Sequence, residues 1–213
     1  MTERGSEIRN HMVSWFNEIP ESDLRWVLQI AMRGAARGLS QMVGHSIEIT
    51  PLRVQTVAIS QIATYAGDPE AEAVGVYLMI EGTLPGRAIL LLSSASALRL
   101  VDMLTNVLSG TTTHLGDLER SALAEVGNLM VSYFLNTVAK FLARPELLHP
   151  SPPAVMVDML GAILDMSVAP AAALGDDLLV VETAFTQDAS ADPERTVQVR
   201  FWILPDVTIP GLA

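Results

Sequence analysis

The fold is decided by residues 117–142, which read DLERSALAEVGNLMVSYFLNTVAKFL. When this stretch is wound at about 3.6 residues per turn, its apolar and polar positions separate, so it predicts one long helix. The apolar positions form a broad face of the kind that packs against a sheet. They are Leu118, Ala122, Leu123, Val126, Leu129, Met130, Tyr133, Phe134, Val138 and Phe141.

A thin polar line runs along the other side of this helix. Its members stay within roughly 80° of arc at the helical repeat. They are Ser121, Glu125, Asn128, Ser132 and Asn136. Glu125 and Asn128 are therefore neighbours, one helical turn apart, on the same exposed side.

Gly127 and Asn128 are unexpected in the middle of a long helix, because each is about 0.5–1 kcal/mol less favourable there than alanine. Two interpretations are open. Gly127 accommodates a neighbouring element while Asn128 is merely solvated, or Gly127 lets a second surface approach the helix closely beside a functional amide.

The composition indicates a folded globular protein. The chain has 213 residues, half of them apolar, with no cysteine and a formal charge of −11. This charge argues against a nucleic-acid partner, and the missing cysteines exclude disulfides and thiolate zinc sites. No apolar run reaches the roughly 18 residues of a membrane span, and the N-terminus has no signal-peptide block, so we expect a cytoplasmic protein without a membrane partner.

No sequence pattern indicates a metal or cofactor site. The histidines are scattered and lack helical metal-ligand spacing, and no nucleophile elbow or phosphate-binding glycine loop is present. We therefore expect neither a bound metal nor a cofactor. The four histidines are His11, His45, His114 and His149.

The chain repeats one order of elements. The first half predicts a helix over 22–43, capped by Ser22 or Asp23 and stopped by Gly44, a short strand, an ambiguous apolar segment, a hairpin and a helix. The second half repeats this order with the long helix, another apolar segment and two strands. The predicted segments are Ser46–Ile49, Val54–Tyr65, Glu72–Glu81, Arg87–Leu92, Ala95–Leu108, Val155–Met166, Asp177–Thr186 and Thr196–Leu204.

This duplication predicts an α+β fold in which two pseudo-symmetric halves form one antiparallel sheet, with the long helices packed on one face. We assign residues 21–213 to one domain made of two repeats, about 21–110 and 115–205. Residues 1–20 predict an amphipathic N-terminal arm that docks on the body, meets a partner or supports a homodimer.

A gapless alignment of the two long helices compares the halves within one sequence. It places Ser22 opposite Ser121, Trp26 opposite Glu125 and Gln29 opposite Asn128. The first copy lacks the acid, and its amide is one methylene longer. It is therefore expected to be a degenerate version of the second.

The stretch Ser121-Ala-Leu-Ala-Glu125-Val-Gly-Asn128, followed by Ser151-Pro152-Pro153 and by Val157–Ile163, resembles the CheC/CheX/FliY family. These are phosphatases of bacterial chemotaxis signalling. The family pattern is Asp or Ser, three residues, Glu, two residues, Asn, then some twenty-two residues and Pro. The likeness spans roughly residues 20–205 and is strongest to the CheC branch in length and arrangement. The proline spacing departs by one position.

The resemblance implies a hydrolase of two-component signalling that removes the aspartyl phosphate from a CheY-like response regulator. It implies catalytic roles for Glu125 and Asn128, partner contacts at Ser121, Gly127 and Ser132, and Mg²⁺ supplied by the regulator. Only the second-half site is expected to work. The alternative is a non-catalytic CheC-like adaptor that binds a regulator or a CheD-type receptor deamidase.

Overall fold

The computed structural model describes residues 20–82, 85–143, 148–168, 177–187 and 196–205. The predicted arm, residues 1–20, lies outside this description except for Pro20. Five α-helices and seven strands are found in the described ranges, and none of these helices is long and apolar enough to cross a membrane. The helices are α1 (Glu21–Val43), α2 (Ile62–Ala66), α3 (Ser94–Thr105), α4 (Asp117–Phe141) and α5 (Leu160–Ser167).

The strands form one antiparallel sheet in the order β1-β6-β7-β3-β2-β4, with β5 also paired to β2. The two predicted hairpins, β2–β3 and β6–β7, meet at the centre of this sheet through β3 and β7. Each half's first strand lies outside the other half's hairpin, since β1 pairs with β6 and β5 pairs with β2. The strands are β1 (Ile47–Ala58), β2 (Glu72–Gly82), β3 (Gly86–Ser93), β4 (Leu148–Pro150), β5 (Ala154–Met159), β6 (Asp177–Gln187) and β7 (Thr196–Pro205).

The long helices cover one face of the sheet, as predicted. The larger core cluster joins α1, α3 and α4 to alternate residues of the central strands. A smaller cluster on the other face lies under α2 and α5 and includes Trp202. The α+β class and the single antiparallel sheet are therefore confirmed.

Helices α1 and α4 pack against each other in antiparallel directions. The Trp26 ring near the start of α1 meets the Phe141 ring at the end of α4, with centroids 6.2 Å apart. Midway along the pair, a Cβ on Gly34 would collide with the Tyr133 ring, and one on Gly38 would lie 3.1 Å from it. The two glycines therefore form the surface on which Tyr133 packs.

Several predicted boundaries are wrong. Helix α1 begins at Glu21, and the residue at its N-cap position is Pro20, so neither Ser22 nor Asp23 caps it. The prediction that Gly44 ends the helix is confirmed, since Gly44 has a φ of 77°. The strand predicted to stop before Pro51 continues to Ala58 through an irregularity in register. An edge strand tolerates proline because its outer N–H needs no partner.

The two ambiguous apolar segments are each part strand and part helix. The first changes from β1 to a 3₁₀ turn at Ile59–Gln61 and then to α2, and the second changes from β5 to α5 at Leu160. Helix α3 ends at Thr105, before Leu108, because Asn106 adopts the left-handed conformation with φ of 55°. A short apolar run does not distinguish these alternatives in sequence.

Candidate functional site

The polar line predicted on α4 is a continuous strip at the protein surface. Ser121 and Asn136 at its ends are exposed, whereas Glu125, Asn128 and Ser132 are half-buried. The helix that carries them is anchored from beneath by residues that are fully or almost fully buried, including Met130 and Phe134. The strip is thus presented by a rigid element rather than by a loop.

The central pair of the strip has no partner in the part of the chain that the structure describes. Neither the Glu125 carboxylate nor the Asn128 amide forms a hydrogen bond or ion pair with any residue that the structure describes. A half-buried carboxylate and amide one turn apart can hold a polar group of a second molecule, since Asn both donates and accepts and Glu accepts.

Gly127 does not face a partner, so that prediction is wrong. It is buried, and a Cβ at this position would lie only 2.6 Å from the Val76 Cγ1 atom of strand β2. The absent side chain lets α4 approach the sheet closely, which agrees with the Gly127 part of the first of the two interpretations. This close approach sets the height of Asn128 above the sheet.

Leu118 was also misplaced by the helical periodicity. It was expected in the apolar face, but its side chain is 72% exposed, because the buried residues of α4 begin only at Leu123. Seven residues separate it from Glu125, so the two side chains lie on the same side of the helix. A single exposed leucine is ordinary on a protein surface, so Leu118 is of interest only because it lies at the end of the polar strip.

Met42 is a second exposed apolar side chain near the strip. It lies in the last turn of α1 and is 49% exposed. Since Gly38 of α1 lies against Leu129 of α4 and the helices are antiparallel, one further turn places Met42 beside the Glu125 turn. Leu118 and Met42 thus flank the polar pair.

The first-half residues that were predicted to form a degenerate site lie at the opposite end of the helix pair. Ser22 is in the first turn of α1, and Trp26 and Gln29 are exposed on the following turns. Because Trp26 meets Phe141, sixteen residues from Glu125, the two sites are about 24 Å apart along the helices. They therefore cannot act on one small group together.

Another polar cluster lies on the opposite face of the sheet, beside a cavity of about 290 Å³. The Tyr65 hydroxyl donates to Glu182 Oε1 at 2.9 Å, and Arg200 Nη1 donates to the Ala66 carbonyl at 2.7 Å. Burial, and then the hydrogen bond to Glu182, raises the pKa of Tyr65 above its usual value. Since these groups partner one another, the cluster fixes α2 on the sheet.

Metal ligation has no support in the described ranges, where no three His, Asp or Glu side chains are grouped closely enough to hold an ion. The strip on α4 offers one carboxylate, two amides and two hydroxyls, which suits recognition of a polar partner or a water molecule.

Comparison with known proteins shows which of them this chain resembles. No protein-family model matches the chain. It is similar to the CheY-P phosphatase CheC of Bacillus subtilis, with 23% identity over 199 residues, 91% of this chain and 93% of that protein. It is also similar to the putative CheY-P phosphatase CheC1 of Halobacterium salinarum, with 27% identity over 124 residues that span 57% of this chain and 63% of that protein.

Among solved structures, the fold is similar to that of FliY from Thermotoga maritima. The TM-score is 0.69 at 21% identity, and the match covers 85% of this chain and 88% of that one. The likeness to CheC of Bacillus subtilis extends over nearly the whole chain, and the duplicated sheet with its two long helices agrees with this fold. The chain therefore resembles the CheC/CheX/FliY family in sequence and in fold.

Proposed function

We propose that this protein is a phosphatase that hydrolyses the aspartyl phosphate of a CheY-like response regulator at Glu125 and Asn128. The observation that carries the proposal is the pair itself. A carboxylate and an amide lie one turn apart on α4, without partners among the described residues, on a helix held close to the sheet by Gly127. The relatives named as CheY-P phosphatases support the choice of substrate.

Hydrolysis of an acyl phosphate needs a positioned water more than it needs a strong base. The phosphoryl group already has a good leaving group, and a Mg²⁺ ion carried by the regulator would neutralise its oxygens. The Asn128 amide accepts from and donates to one water and holds it in line with phosphorus. The water oxygen bonds to phosphorus as the bond to the aspartate oxygen breaks, which releases phosphate and restores the carboxylate.

Glu125 orients the partner. One turn before Asn128, its carboxylate pairs with a lysine of the regulator and fixes the register of the docked surfaces. Ser121 and Ser132 lie one turn outside the pair and contribute hydroxyl contacts. Glu125 is half-buried, which favours this pairing because its charge is less screened by solvent than a fully exposed charge.

Replacing Asn128 tests the catalytic role. Asn128→Ala should lower the saturating rate of phosphate loss from a phosphorylated CheY-like regulator by about 100-fold, because the water is no longer held in line. The measurement is single-turnover release of labelled phosphate. Asn136→Ala is the matched control, since the same residue type is removed from the same strip two turns away.

The adaptor alternative makes the opposite prediction for the same pair of variants. A non-catalytic adaptor for a regulator or a CheD-type deamidase would leave phosphate loss at the regulator's own rate with or without the protein. If wild type and Asn128→Ala both give that rate while binding is retained, the phosphatase assignment is wrong.

Replacing Glu125 tests the encounter. Glu125→Ala should weaken regulator binding and make the affinity less sensitive to salt, because one intermolecular charge pair is lost. The dissociation constant is measured across a series of ionic strengths. Asp165→Ala, at an exposed position of α5 on the other face of the sheet, changes the net charge equally and should keep the wild-type slope. An unchanged slope for Glu125→Ala would remove Glu125 from the interface.

A further inference from the structure

The first-half helix carries a strip that matches the one on α4 position for position. Continuing the same gapless alignment places Arg33 opposite Ser132 and Arg37 opposite Asn136. The five positions on α1 therefore read Ser22, Trp26, Gln29, Arg33 and Arg37. In place of one negative charge, this strip carries two positive charges and an aromatic ring.

The arginines of this strip are available for a second molecule. Arg33 and Arg37 are exposed, and neither forms an ion pair with a described residue. They lie one turn apart on the same side of the helix, so their charges add. In a chain of formal charge −11, this is a local reversal of the overall sign.

Trp26 supplies an apolar anchor at the end of the strip. Its side chain is 53% exposed, and its ring rests on Phe141 with the planes tilted by 54°. A large aromatic side chain held by a neighbour and still open to solvent is characteristic of residues that dominate protein interfaces. Core packing does not require this exposure.

A groove runs beside the two arginines. It has a volume of about 780 Å³ and lies between α1 and the start of β1, with Ser40, Gln41 and Glu48 also in its walls. Glu48 is the acidic side chain of this lining, so the two arginines leave the groove with a net positive charge. An acidic segment is electrostatically complementary to it.

The edge of β1 in this groove is poorly suited to adding a strand. The Ile47 N–H donates to Ser40 Oγ at 2.8 Å, and Pro51 has no N–H to offer. Both features block backbone pairing at an edge. A partner would therefore be recognised by its side chains, which favours a helix over an extended peptide.

We propose that Trp26, Gln29, Arg33 and Arg37 form a docking surface for an acidic helical segment of another protein. Carboxylates of the segment pair with Arg33 and Arg37, and an apolar side chain packs on Trp26. The chain's own first 19 residues do not fit, because their three glutamates are nearly balanced by two arginines. The surface is separate from Glu125 and Asn128 and does not depend on the proposed hydrolysis.

The test uses the full chain and a fluorescein-labelled helical peptide as the probe. The peptide carries one leucine with glutamates seven and eleven residues away, which reproduces the spacing of Trp26, Arg33 and Arg37. A second peptide has glutamine at both acidic positions. Fluorescence anisotropy should show binding of the glutamate peptide that weakens with salt, and markedly weaker binding of the glutamine peptide.

Variants locate the contact. Arg33→Gln with Arg37→Gln should weaken binding of the glutamate peptide by about tenfold or more, and Trp26→Ala should weaken binding of both peptides. Arg53→Gln with Arg99→Gln lowers the net charge equally from exposed positions on β1 and α3 and should retain binding. Equal losses in the two double variants, or no binding of the glutamate peptide to wild type, would overturn the proposal.

Discussion

At the scale of single residues, helical spacing predicted that Glu125 and Asn128 are neighbours on the polar side of the helix, whereas their proposed roles came only from the family resemblance. The role of Gly127 could not be predicted, since a glycine in a helix gives the same signal whether it faces a partner or a strand. The deciding contact is with Val76, which is distant in sequence and is brought there by the fold. Leu118 was misassigned because periodicity does not show where a helix extends beyond the core that it packs against.

Leu118 should act as an apolar anchor for the regulator beside Glu125. Leu118→Gln keeps the length of the side chain but removes its apolar surface, so we expect the KM for the phosphorylated regulator to rise about tenfold with kcat unchanged. Steady-state phosphate release measures both constants. Met166→Gln is the control, because Met166 is 57% exposed on α5 at the opposite face. A fall in kcat with constant KM would contradict an anchoring role.

At the scale of elements, the repeat predicted the hairpins and long helices well, because their periodic patterns extend over many residues. It could not predict that each half's first strand pairs with the other half's hairpin. That exchange depends on contacts far apart in the chain. The antiparallel packing of α1 on α4 follows from the same pseudo-symmetry, and Gly34 and Tyr133, which the gapless alignment places opposite each other, meet at its centre.

The contact between Gly34 and Tyr133 should control the stability of the helix pair. Alanine normally stabilises a helix relative to glycine by about 1 kcal/mol, but here its Cβ would collide with the ring, so Gly34→Ala should destabilise by about 1–3 kcal/mol. Urea unfolding gives the free energy. In a Tyr133→Ala background the same substitution should become stabilising. An unchanged sign in that background would show that the ring is not the obstacle.

At the scale of the whole molecule, two halves of one fold carry surface strips of different chemistry about 24 Å apart. The sheet and core hold both helices alike, so packing does not explain why one strip has Glu and Asn and the other Trp and two Arg. We propose that divergence of the strips on a shared scaffold separates hydrolysis at α4 from docking at α1. The extended alignment could have revealed Arg33 and Arg37, but their exposure and groove required the structure.

Restoring the pair in the first half should therefore not create a second active site. In the Asn128→Ala background, Trp26→Glu with Gln29→Asn should leave phosphate loss near the regulator's own rate, because Arg33 and Arg37 still repel a lysine that approaches the strip. The same assay of phosphate release measures the outcome. Recovery of wild-type activity would show that these two positions alone separate the halves.

The central claim is that one site, on α4, hydrolyses the regulator's aspartyl phosphate. The residual activity of Asn128→Ala at saturating protein tests it most directly, since the first half is intact in this variant. We predict that phosphate loss falls to within a small factor of the regulator's own rate while the regulator still binds and Asn136→Ala retains full activity. Persistence of about half the wild-type rate would contradict the claim, because it would place a working site elsewhere in the molecule.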